Sequence, residues 1–142
     1  MEDKGRTLLK QAYLRLDQGD FEGAIAACEA AQETLEEAAL ADALIGSVKL
    51  AQGDPRGAMR HLMGAKRRHP GAVEVQVYLA EACWLMGRRR RATRLLDKLE
   101  DEGAAKGPWA PMIRSLKQTW EQLDEADIDI QTANDRKHRR RR

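Results

Sequence analysis

Between Arg136 and Arg142 the only side chain that is not a full cation is His138. A run like this binds polyanions. Arg136, Lys137, Arg139, Arg140, Arg141 and Arg142 would neutralise phosphates and release counterions, with a steep salt dependence and little sequence preference. No aromatic residue interrupts the run, so stacking on bases is not supported. A solubilising terminus is the competing reading of the same residues. Residues 135–142 carry a net +5 in a chain whose total is +2, which leaves the body at −3. Two further basic clusters lie inside the body. Arg88-Arg89-Arg90-Arg91 opens a helix, the unfavourable end of the helix dipole for cations, and Lys66-Arg67-Arg68-His69 closes one, the favourable end. In a repeat stack the two are expected on opposite edges.

Nothing else in the chain has the spacing of a reactive site. His61, His69 and His138 lack a helical-spaced partner for a metal or an acid–base pair, and there is no phosphate loop, nucleophile motif or His-Glu-x-x-His. No enzyme activity, cofactor or metal is expected. Glu33, Glu36 and Glu37 read as a solvated face. Cys28 and Cys83 have no metal-ligand spacing and read as small core residues of a protein in a reducing compartment. The N-terminal residues lack the layout of a signal peptide, and no apolar run approaches the roughly 20 residues of a membrane span. A soluble, cytoplasmic protein is the expectation.

The elements that must position these residues repeat. Gly19, Gly53 and Gly87 stand thirty-four residues apart, and Ala24, Ala58 and Ala92 follow each by five. Such a period marks a helical solenoid. Alanine and leucine supply the apolar fraction, and aromatics are only 4% of the chain, which favours helices over strands. Six helices are predicted: four over about 7–18, 39–52, 73–86 and 88–101, one marked by Phe21, Ala24, Ile25, Cys28 and Ala31, and one after Pro55 marked by Ala58, Met59, Leu62 and Ala65. Small residues recur where paired helices would cross: Ala12, Gly46 and Ala80 on the first helices, Ala24, Ala58 and Ala92 on the second. A seventh helix, about 108–126, carries Trp109, Met112, Ile113, Leu116, Trp120 and Leu123 on one stripe and closes the stack. Residues 127–142 have no stripe and read as a disordered basic tail.

The segments Ala43-Leu44-Ile45-Gly46 through Gly53-Asp54-Pro55-Arg56-Gly57-Ala58 to Ala65 and Pro70 resemble the tetratricopeptide repeat. So do Leu79-Ala80-Glu81-Ala82 through Gly87 to Ala92, and Gly19-Asp20-Phe21-Glu22-Gly23-Ala24 with Ala31. Pro55 and Arg89 depart from the pattern where Phe21 fits it, and the third repeat lacks its closing proline. The resemblance implies an all-α fold: three helix-turn-helix repeats, about 5–38, 39–72 and 73–106, in a right-handed superhelix with a capping helix. The segment from Ala12 to Ala24, and Ala80-Glu81-Ala82-Cys83, are also similar to the chaperones of type III secretion translocator proteins.

In this fold the first helix of each pair lines the concave face. The resemblance therefore places Leu9, Tyr13, Leu16, Leu40, Ala43, Ser47, Leu50, Val77, Glu81 and Trp84 in a groove, with Tyr13 and Trp84 as anchors. The implied function is an adaptor or chaperone holding an extended or helical apolar segment of another protein. The same residues read equally as ordinary core. A polyanion-binding adaptor acting through the tail, with the repeats as a dimer or adaptor platform, is the alternative. The clamp by which related co-chaperones grip a C-terminal carboxylate is not reproduced, because Leu9, Tyr13, Ser47, Glu74 and Tyr78 stand in its places.

Overall fold

The computed structural model describes residues 3–34 and 38–140. Helices run α1 Lys4–Asp17, α2 Phe21–Ala31, α3 Ala38–Ala51, α4 Pro55–Arg68, α5 Val73–Leu85, α6 Arg89–Asp101 and α7 Ala110–Arg140, with a 3-10 turn at Ala104–Lys106. No strand occurs among the described residues. The α1–α2, α3–α4 and α5–α6 hairpins stack in order, and α3 also packs directly on α5.

One turn is used three times, which explains the period. Gly19, Gly53 and Gly87 have φ of 76°, 80° and 80°, a conformation that L side chains resist. At each, the glycine N–H donates to the carbonyl three residues back, and the next N–H donates to the carbonyl five back: Asp20 to Arg15 at 2.8 Å, Asp54 to Lys49 at 2.9 Å, Arg88 to Cys83 at 2.9 Å. The exposed carbonyls of the first helix are thereby satisfied. The residue after the glycine then caps the second helix. Asp20 accepts from the Gly23 N–H at 3.0 Å and Asp54 from the Gly57 N–H at 2.9 Å. A Cβ at Gly23 or Gly57 would overlap that carboxylate. In the third repeat Arg88 replaces the aspartate, no side chain caps α6, and Arg91 stands where the glycine was needed. Cap and glycine disappear together because each exists for the other.

The small residues lie where the hairpins close. Ala12, Ala24, Ala58, Ala80 and Ala92 have no exposed surface, and a Cβ on Gly46 would come within 2.5 Å of the Leu62 side chain. The interior divides into two apolar clusters. One, built on Leu9, Ala27, Cys28, Leu44 and Ile45, serves the first hairpin and α3. The other, built on Leu62, Val77, Leu79, Leu96 and Leu99, continues into α7 through Ile113 and Trp120. Because α3 gives Ala43 to the second and Leu44 to the first, it is the wedge between them.

The closing helix differs from expectation in two ways. It continues to Arg140 instead of stopping near residue 126, so the segment read as disordered is helical as far as described. The segment up to Asp124 is already packed, so the nucleation cost is met, and each further residue adds a hydrogen bond at small cost. Leu123, expected on the buried stripe, is 45% exposed. Arg89, the first residue of α6, pairs with Asp124 at 2.8 Å and Asp127 at 2.6 Å. The third hairpin ends there, and α7 runs on past it with nothing to cover.

Gly46→Val places methyl groups against the fully buried Leu62. Overpacking of this kind costs about 1–3 kcal/mol, so the urea midpoint of the variant is expected below wild type with an unchanged slope.

Candidate partner-binding groove

Helix α3 packs on α5 across the hairpin boundary, so the first helices form a row of their own, the row expected to line the inner face. The inner row reads in repeat-equivalent triads. Tyr13, Ser47 and Glu81 share one position; all three keep surface, with Tyr13 45% exposed. Leu16, Leu50 and Trp84 share another, and Leu16 and Leu50 are half-buried. Leu40 is half-buried two turns before Ser47 on α3. Tyr78 ties the row together. Its hydroxyl lies in hydrogen-bonding reach of Ser47. Its ring meets Trp109 edge-on at 5.8 Å. Burial raises the Glu81 carboxyl above the usual range, and no salt bridge answers it among the described residues.

Four of the ten expected groove residues are elsewhere. Leu9, Ala43 and Val77, one repeat position throughout, are buried at 4%, 0% and 0% and belong to the core. Helical spacing alone could not separate them from Tyr13, Ser47 and Glu81, four residues on. Trp84 is the larger correction. It is 8% exposed, stacked on Trp120 of α7 at 4.6 Å with the rings 3° from parallel, and the Arg89 guanidinium lies 4.7 Å from its ring centre. The indole that reads as an anchor for a partner is occupied by the chain's own closing helix. The opposite end is bare. Leu14 is 61% exposed, whereas its equivalents Val48 and Ala82 are fully buried against the preceding hairpin. Among the described residues no hairpin packs on that side of α1.

The structure also assembles a cluster that the sequence did not suggest. Asp42 of α3 is 2% exposed. Its carboxylate meets His61 Nε2 at 3.0 Å, Arg68 at 3.2 Å and His69 Nε2 at 3.1 Å, and accepts from the Gln32 amide. The sequence offers His61 and His69 no partner at helical spacing. Their partner is 19 and 27 residues away on another helix. The one available signal was an aspartate between Ala41 and Ala43 in an apolar stretch. A buried carboxylate persists only when donors repay its lost hydration, and these donors pin the C-terminal ends of α2 and α4 to α3. Among the described residues no group of three or more His, Cys, Asp or Glu side chains is placed to hold a metal ion.

The cysteines are buried thiols, as expected. Burial pushes Cys28 up to about 12 and raises Cys83, the latter opposed by Arg91, Arg88 and Lys66. Arg68 and His69 are spent on Asp42. Of the terminal run, Arg136 and Lys137 are exposed on α7. The side chains of His138, Arg139 and Arg140, together with Arg141, Arg142, Glu36 and Glu37, lie outside the described residues. Glu33 is exposed. No helix of the described residues is long and apolar enough to cross a membrane.

Three equal hairpins, each closed by the same glycine turn and stacked in chain order, define a helical-repeat protein. The family model of the tetratricopeptide repeat matches residues 49–116, from the end of α3 into α7. Over those residues the chain is built of tetratricopeptide repeats. No curated protein matches it.

Trp120→Ala exposes Trp84 and removes the main apolar contact of α7. The cost is about 3–5 kcal/mol, and the urea midpoint should fall accordingly. The Asp42 cluster gives a pH dependence. Burial, opposed by Asp42, lowers the His61 value below the ordinary 6.5. Above about pH 6.5 the folded and unfolded forms are both neutral. Below it the unfolded chain takes up the proton first, so stability falls as pH falls through the lowered folded value. The midpoint at pH 5.0 should lie below that at pH 7.5, and His61→Gln should shrink the difference.

Proposed function

We propose that the protein is an adaptor or chaperone that holds an apolar segment of a partner protein along α1, α3 and α5. Tetratricopeptide repeats mediate protein–protein contacts, and an all-helical repeat of this kind is typically a non-catalytic module. The observation that carries the reading is the strip formed by Tyr13, Leu16, Leu40 and Leu50, with Ser47 beside them on α3 and an unanswered Glu81 at the α5 end. Half-exposed apolar side chains at equivalent positions of successive helices offer a continuous surface. A partly desolvated carboxylate favours a segment that brings one cation among its apolar residues. Because α7 covers Trp84, the strip is bounded at that end, and Tyr13 takes over as the principal anchor. The similarity of the segment from Ala12 to Ala24 to chaperones of secreted translocators adds that the client is an exported protein held before export.

The test uses full-length protein. Tyr13→Asp changes an exposed side chain of the strip, and Leu50→Asp one that also packs against the core, so circular dichroism checks that each variant folds. Partners recovered from cells with wild type and identified by mass spectrometry should be lost with both variants. A synthetic peptide from the apolar segment of such a partner should bind at least tenfold more weakly to the variants. Recovery unaffected by both changes, but abolished when Arg139, Arg140, Arg141 and Arg142 become Gln, would instead favour the tail.

A further inference from the structure

We infer that the outer face formed by α4 and α6 is a binding surface for the phosphate backbone of nucleic acid, separate from the groove and from the terminal arginines. The repeat itself aligns the residues. Arg56 and Arg90 are thirty-four residues apart, and so are Arg60 and Arg94, so both pairs occupy equivalent positions and face the same way. All four are exposed, as are Arg67 and Arg91. None of the six takes part in a salt bridge among the described residues, whereas Arg68 and Arg89 each do. Helix α4 contains no acidic residue, and the first on α6 is Asp97. Arg88 spans the gap between the helices, its guanidinium 3.9 Å from the Met59 sulfur on α4. An open hollow of about 510 Å³ is lined by Gly87 and five arginines of this region. Asp124, at the border of the neighbouring hollow, is already engaged by Arg89. The first hairpin has Glu22 and Ala26 at the equivalent places, so the surface ends there.

Nucleic acid is favoured over an acidic protein by what the face lacks. A specific protein interface has an apolar core within its polar rim. The exposed large apolar residues are Tyr13, Leu14, Leu85, Leu123 and Ile128, and none is on α4 or α6. A face of unpaired guanidinium groups without apolar anchors binds by charge alone, as a phosphate backbone requires. At 1.5 Å per residue, Arg56 to Arg67 spans roughly 16 Å, about five phosphates of one strand. Exposed aromatics are absent from the face, so it positions a backbone and reads no bases.

Fluorescence anisotropy of a labelled 24-base-pair DNA duplex with full-length protein tests the inference. Binding should weaken by about 10³-fold between 50 and 200 mM salt if six phosphates are neutralised. R56Q/R60Q and R90Q/R94Q should each weaken binding at least tenfold and lower the salt slope by about 2. Circular dichroism confirms that each variant folds, and the second pair stands if the first does not. Changing Arg139, Arg140, Arg141 and Arg142 to Gln should leave most of the binding. No binding at 50 mM salt, unchanged binding in both folded pairs, or complete loss in the terminal variant alone would overturn the inference. So would polyglutamate that displaces the duplex at equal charge, which would point to an acidic protein.

Discussion

Close approach of paired helices at small residues is the contact on which the rest of the molecule depends. At Gly46 the Leu62 side chain occupies the space that a Cβ would need, and the alanines at the other crossings have no surface left. Packing this tight fixes how each second helix lies on its first. It therefore fixes which residues of the first helix face inward and which enter the core. One residue of rotation would exchange the triad of Tyr13, Ser47 and Glu81 for buried neighbours. The proposed groove is thus a by-product of crossings that contain none of its residues.

The same crossings limit what can be added at the end. After the third hairpin an apolar face remains, and α7 covers it with Ile113 and Trp120 while Lys117 reaches Asp97 at 2.6 Å and Arg89 reaches Asp124 and Asp127. Arg89 is a departure from the repeat pattern. It stands where the first repeat has Phe21 and the second Pro55, and its use explains the change. A guanidinium over the Trp84 ring can hold two carboxylates of the closing helix, which an apolar residue could not. The arginine is fitted to the end of the stack, not to its interior.

Much of this was legible in the sequence because it is periodic. The turn glycines, the aspartate caps and the small crossings each have one physical cause acting at a fixed interval, so repetition reveals them. What the sequence concealed is what occurs once. Trp84 shares its repeat position with Leu16 and Leu50, so spacing assigns it to the groove; only the arrival of Trp120, thirty-six residues later, moves it inside. The Asp42 cluster draws on Gln32, His61, Arg68 and His69 from elements with no common register. The length of α7 was hidden for another reason. A helix whose described side chains beyond Asp127 are all exposed leaves no stripe, although a packed helix can extend without one.

Periodicity also constrains how a stack of this kind can recognise anything. Equivalent positions lie side by side, so a substitution in one repeat changes the surface at one step along the row and nowhere else. On the inner face the steps run Tyr13, Ser47, Glu81, from aromatic through hydroxyl to a half-buried carboxylate. On the outer face they run Glu22, Arg56, Arg90, from acidic to basic. Neither row is symmetric end to end. A chain lying along the inner row would meet an apolar anchor at one end and a charge at the other, and reversing its direction would set its cation against Tyr13 and leave Glu81 unanswered. Were a segment bound as proposed, three similar hairpins with unlike side chains would therefore suffice to distinguish its two directions, without any loop devoted to the purpose.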